Sequence, residues 1–160
     1  MTLIKNRTVV DNTFRRLADA DALPPSGDVL VSLERWISQH DALRAHSGQV
    51  GVVLTGEHDV REHAQLLLDR PVIALEFPKF ADGRCYSHAR ILREQLGFTG
   101  ELRAIGDVLR DQLFYLYRCG IDAFELAPGV RPDSALEGFR DFSVVYQPAA
   151  DEPLPLFRRA

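Results

Sequence analysis

Cysteine is scarce in this 160-residue chain, with Cys85 and Cys119 the only two. Two thiols cannot make a disulfide scaffold. A chain this long buries about 70% of its unfolded surface and needs no such staple. Lysine is equally rare, at positions 5 and 79, and 23 acidic against 19 basic residues give a net charge of −4. That balance disfavours attraction to nucleic-acid phosphates or anionic lipid, so no nucleic-acid partner is expected. No apolar run approaches the roughly 18 residues that span a bilayer, so no membrane partner is expected either. The first sixteen residues interleave charges with apolar side chains, which predicts an unexported, cytoplasmic protein with reduced thiols.

Cofactor signatures are missing as well. The sequence holds no Gly-rich dinucleotide fingerprint, Walker loop, Cys-x-x-Cys pair or nucleophile elbow, and no cofactor is expected. His58 and His63 lie five residues apart, about 140° around a helix, and His40, His46 and His88 are scattered. No metal site is expected.

What the chain does have is a period. Short apolar or β-branched runs begin at Val29 (VLVSL), Val50 (VGVVL), Pro71 (PVIALEF), Gly100 (GELRAIG), Ile121 (IDAFEL) and Phe142 (FSVVYQP), 21, 21, 29, 21 and 21 residues apart. Between them apolar residues recur at helical spacing, as in Val60, Ala64 and Leu67, Ala89, Leu92 and Leu96, or Leu109, Leu113 and Leu116. This alternation predicts a single α/β domain of repeated βα units with at least five parallel strands, mostly neighbours in chain order. Two shapes stay open: a partial barrel with helices outside, or a doubly wound sheet. Gly97 and Gly120 close helical patterns as C-caps. LIKNRTVV, with apolar runs around Asn6-Arg7, predicts a small N-terminal hairpin. The expected domain covers residues 1–147, with the hairpin and a loop in 1–27 and the βα repeats in 28–147. The proline-bearing residues 148–160 are expected as a flexible tail.

Ligands of parallel α/β sheets bind beyond the carboxyl ends of the strands. The longest loop there, Phe77 to Arg84, carries Lys79 and leads into a helix with Arg84 and Ser87. Residues 79–118 hold seven basic and five acidic side chains, +2 within a chain of −4. Lys79, Gly83, Arg84 and Ser87 are therefore candidates to bind an anion such as sulfite, sulfate or phosphate, with Arg84 or Arg103 lining the main polar pocket. The competing reading pairs these arginines with Asp82 and Glu94 on a solvated helix face. Glu76, Arg103 and Glu125 stand near the ends of three successive strands. They are candidate catalytic residues if the strands are neighbours, or a structural ion network at a sheet end. Cys85 shares a helix face with Ala89, Leu92 and Leu96, so it reads as a core residue, and no internal disulfide with Cys119 is expected.

Several blocks carry a resemblance. They are Phe80 with Asp82-Gly83-Arg84 and Tyr86-Ser87, Ala89-Arg90 with Leu92-Arg93, Glu101 to Ala104, Gly106-Asp107-Val108, Arg110-Asp111-Gln112 and Arg118-Cys119-Gly120. The chain resembles the bacterial domain-of-unknown-function family 934, whose members are typically encoded beside sulfite reductase. The resemblance implies a role in sulfite reduction and the family's usual label, an oxidoreductase of that process. The family often has glycine where this chain has Cys85. Because the residues show no electron carrier, the first expectation is an accessory protein of sulfite reduction that binds an anion or docks on a sulfite reductase subunit. A small-molecule enzyme acting through Glu76, Arg103 and Glu125 on a sulfur or phosphate compound is the alternative. A pure interaction module using the tail from Glu152 to Phe157 is the third.

Overall fold

The computed structural model describes residues 2–78, 83–140, 147–154 and 158. Lys79, the loop through Asp82 and the run at Phe142 fall outside the described residues. The strands are β1 (Leu3–Lys5), β2 (Thr8–Val10), β3 (Arg15–Arg16), β4 (Val29–Ser32), β5 (Val50–Leu54), β6 (Val72–Phe77), β7 (Glu101–Gly106) and β8 (Ala123–Glu125). The helices are α1 (Leu33–Ser38), α2 (His40–Arg44), α3 (Ala64–Leu67), α4 (Arg84–Arg90), α5 (Leu113–Arg118) and α6 (Pro132–Gly138). All eight strands form one sheet in the order β2-β1-β8-β7-β6-β5-β4-β3.

From β3 to β8 every neighbouring pair is parallel, and β1 joins the sheet antiparallel to both β2 and β8. The expected hairpin is thus present, turning at Asn6 (φ 50°) and Arg7 (φ 61°). Consecutive parallel strands lie side by side without a switch point. Crossovers of one hand then place all the helices on one face, and the sheet curls into a half-barrel. The doubly wound alternative is set aside by this strand order.

Residues of β4 to β7 alternate between the two faces, as strand geometry requires. Val31, Val52, Leu54, Ile73, Leu75, Leu102 and Ala104 point outward into a core shared with Trp36, Leu67, Cys85, Leu92 and Leu116 from the outer layer. Leu30, Val53, Val72, Ala74 and Ile105 point inward and form a second cluster. The inner cluster is covered by Phe14, from the segment between β2 and β3.

The boundaries have local causes. Ser32 caps α1 by accepting from the Arg35 amide at 3.0 Å. Gly97 (φ 68°) and Gly120 (φ 97°) supply the left-handed residues after the helical stretches that precede β7 and β8. The helical pattern from Ala89 to Leu96 runs through α4 into a π-helical turn at Ile91–Gln95. The start of the expected tail is tied down, because Ala150 donates its amide to the Arg118 carbonyl at 3.0 Å and Arg118 reaches Asp151 at 3.3 Å.

Gly51, in the middle of β5, faces inward where strands β4 and β6 converge. A Cβ there would stand 2.6 Å from Leu30 Cδ2 and 2.9 Å from the Val72 carbonyl oxygen. Gly51→Ala should therefore destabilise the fold by about 1–3 kcal/mol through overpacking, measured as a lower urea midpoint with an unchanged m-value.

Candidate functional site

Strand register places Glu76 and Glu125 at one level of the concave face, because Glu76 opposes Ile105 and Ala104 opposes Phe124. Arg103 faces the same way, one pleat nearer the amino ends, opposite Ala74 and Ala123. The three residues share a face, and no hydrogen bond or ion pair joins any two of them among the described residues. Two residues that the sequence reading did not single out hold them, Asn12 bridging Arg103 and Glu125 and Arg16 pairing with Glu76 alone. Asn12 accepts from Arg103 Nη1 at 2.9 Å and donates to Glu125 Oε2 at 3.1 Å. Arg16 grips Glu76 with two parallel bonds, Nη1 to Oε1 at 2.7 Å and Nη2 to Oε2 at 2.9 Å. Such a fork is a strong charge-assisted pairing, and the Glu76 hydrogen bond raises the Arg16 pKa against the cost of burial.

Arg103 is 1% exposed and its charge is met inside the sheet. Its Nε and Nη2 reach Glu101 Oε1 at 2.7 and 2.6 Å, while Lys5 holds Glu101 Oε2 at 2.7 Å. Glu101 and Arg103 are two apart on one strand and so point the same way. That spacing was the signal in the sequence for this pair.

Beyond the carboxyl ends of β3 to β6 lies a cleft of about 650 Å³ bordered by Arg16, Asp19, Asp21, Ser32, Glu34, Glu57, His58 and Glu76. Arg84 and Arg103, expected to line the main polar pocket, do not border this cleft, but Arg84 borders one of about 290 Å³ and Arg103 one of about 480 Å³. The physical reason is reach: Arg103 is one pleat deeper and drawn to Glu101, and Arg84 starts a helix on the outer layer. One rim is knit to α1, since Ser32 donates to Asp19 at 2.6 Å and Arg35 donates to the carbonyls of Ala18 at 2.6 Å and Asp21 at 2.8 Å. His58 occupies the other rim. Its Nδ1 accepts the Thr55 amide proton at 2.9 Å, so Nε2 carries the hydrogen and donates to Glu34 at 2.9 Å. That bond lowers the Glu34 pKa. Five carboxylates against one guanidinium make this cleft repel anions.

A second cleft of about 290 Å³ shares Glu57 and His58 with the first and is also bordered by Asp59, Arg61, Arg84 and Ser87. Two arginines balance two carboxylates here, and the cleft has no acidic excess. Arg84 lies across Gly56, where a Cβ would meet its Nε at 2.7 Å, and Arg84 Nη1 is 3.9 Å from Glu57. Glycine at position 56 is what allows the guanidinium to lie there. Gly83 is the residue that precedes α4 (φ −88°). Arg84 and Ser87 thus share a cleft as grouped from sequence, and Lys79 lies outside the described residues. Among the described residues, no three His, Cys, Asp or Glu side chains are placed to hold a metal ion.

The family model described as "Bacterial protein of unknown function (DUF934)" matches residues 51–157. The chain belongs to this family. The match takes in β5 from its second residue, β6 to β8 and both arginines of the smaller cleft, whereas the segment bearing Asn12, Phe14 and Arg16 precedes it. No curated protein and no solved structure matches the chain. No helix among the described residues of this DUF934 protein is long and apolar enough to cross a membrane.

Neither Cys85 nor Cys119 is in a disulfide. Cys85 is buried and donates to the Glu76 carbonyl at 3.3 Å. Cys119 is half-buried, and burial raises its pKa, with Glu94 and Asp151 adding to the rise and Arg90 and Arg118 opposing it. A raised pKa leaves less thiolate at a given pH. Iodoacetamide at pH 8 should therefore modify Cys119 more slowly than an unstructured cysteine peptide, and Cys85 more slowly still, as read by peptide mass spectrometry over time.

Arg103→Met should strand Glu101 with only Lys5 and lower stability by about 3–5 kcal/mol. The double variant Arg103→Met, Glu101→Met should recover most of that loss. Urea unfolding of the three chains measures both effects.

Proposed function

We propose that this protein is a cytoplasmic accessory protein of sulfite reduction that binds a small oxyanion and docks on a sulfite reductase subunit. Membership of the family is the link to that process through the resemblance described above. The observation that carries the anion is Arg84 laid over Gly56 at the edge of a 290 Å³ cleft with Arg61 and Ser87. Guanidinium donors and a hydroxyl in one small cleft are the groups that hydrogen-bond a tetrahedral or pyramidal oxyanion. The acidic neighbour cleft would discourage anions from settling elsewhere along the same edge.

A second reading, a small-molecule enzyme, is favoured by the volume of the larger cleft. At about 650 Å³ it lies within the range of ligand pockets and sits where parallel sheets bind their substrates. In that reading Glu76 is held by Arg16 as a fixed charge, with Arg103 and Glu125 behind it on the concave face. The tail-based interaction module is less supported, because Arg118 engages Asp151 within the chain.

Calorimetric titration with sulfite, sulfate and phosphate at physiological salt should show binding that weakens about tenfold or more in Arg84→Ala, the loss of a charge-assisted contact. The melting temperature should stay within a degree or two, since Arg84 is largely exposed. Absence of anion binding by the unsubstituted protein counts against the anion site. Failure to co-purify with the reductase of the same host counts against docking.

A further inference from the structure

The smaller cleft, of about 290 Å³, places acceptors among its donors. Its donors are the guanidinium groups of Arg61 and Arg84 and the hydroxyl of Ser87, which follows Arg84 by three residues on α4 and so shares its helix face. His58 adds neither donor nor acceptor, because its ring nitrogens are committed to the Thr55 amide and to Glu34, each at 2.9 Å. Asp59 is drawn into its own turn, where Oδ1 accepts the Arg61 amide at 2.9 Å. Glu57 is the carboxylate that meets a guanidinium of this cleft, with Oε1 standing 3.9 Å from Arg84 Nη1.

That separation decides what fits. It is too long for a direct hydrogen bond, yet one ligand oxygen can stand about 2.8 Å from both atoms at once. An O–H oxygen placed there accepts from the guanidinium and donates to the carboxylate. A bare oxyanion oxygen also accepts from the guanidinium, but it meets Glu57 charge against charge with no proton between them.

We infer that this cleft takes an oxyanion that still carries a proton and rejects one that carries none, with Glu57 as the residue that tells them apart. The inference rests on the anion-binding reading of the cleft and gives the reason why a carboxylate borders such a site. Glu57 weakens every anion by repulsion, and only a proton-bearing one regains the loss through a charge-assisted hydrogen bond. Hydrogenphosphate and the O–H form of hydrogensulfite belong to the accepted class. Sulfate belongs to the rejected class.

Hydrogenphosphate and sulfate isolate the effect of the proton, because both are tetrahedral dianions of similar size and only the first holds hydrogen. Calorimetric titration of the full chain at pH 8 and physiological salt should show phosphate binding at least about tenfold more tightly than sulfate. In Glu57→Gln the side-chain amide can donate where the carboxylate only accepted, so sulfate should gain affinity and the ratio should fall to within about threefold. The Glu57 side chain is 80% exposed, so this variant should fold and melt as the unsubstituted protein does. Equal affinity for the two anions in the unsubstituted protein overturns the inference and leaves the anion site standing. Binding of neither anion overturns both. A preference for phosphate that persists unchanged in Glu57→Gln also overturns the inference, since the selection then lies elsewhere.

Discussion

A parallel sheet whose crossovers all turn the same way receives helices on one face only. The rest of this structure depends on that constraint. The outer face of β4 to β7 is sealed by the helical layer, and Trp36, Leu67, Leu92 and Leu116 complete a single large core there. Among the described residues no second helical layer covers the inner face, yet it carries five buried apolar side chains that must leave water. The curl of the sheet brings those side chains together, and the strap from Asp11 to Phe14 covers them.

The same constraint shapes the charges. An inward-facing Arg103 at 1% exposure is tolerable only with full hydrogen bonding, since an unpaired buried charge costs several kcal/mol. Glu101 supplies the counter-charge from the next inward position of the same strand, Lys5 balances Glu101, and Asn12 takes the remaining guanidinium edge. Arg16 and Glu76 repeat the device nearer the carboxyl end. The N-terminal fifty residues therefore supply the hairpin, the strap and most of the partners of the concave face, although the family match begins at residue 51.

The two clefts beyond the strand ends differ in sign for an equally local reason. The loop after β3 and the start of α1 deliver Asp19, Asp21 and Glu34, while the turn after β5 and the start of α4 deliver Arg61 and Arg84. Adjacent parts of one edge thus provide an acidic surface and a charge-balanced one within one fold. The chemistry of this edge lives in the loops, and the strands only set their order.

The alternation of strands and helices was legible from sequence because each βα unit repeats the same local physics: a continuous apolar run, a turn, an apolar helical stripe and a glycine with positive φ such as Gly97 or Gly120. The hairpin at Asn6-Arg7 was legible for the same reason. β3 was not, since two arginines on an edge carry no alternating apolar signal. The grouping of Glu76, Arg103 and Glu125 on one face followed from strand spacing. Their partners did not follow, because Asn12 lies 91 residues from Arg103 and Arg16 lies 60 from Glu76. Local sequence thus determined the elements and their order, since propensity, capping and periodicity act over a few residues. The direction of curl, the covering of the inner face and the pairing of each buried charge were decided only in tertiary structure, because each depends on chain segments that meet after the sheet has closed around them.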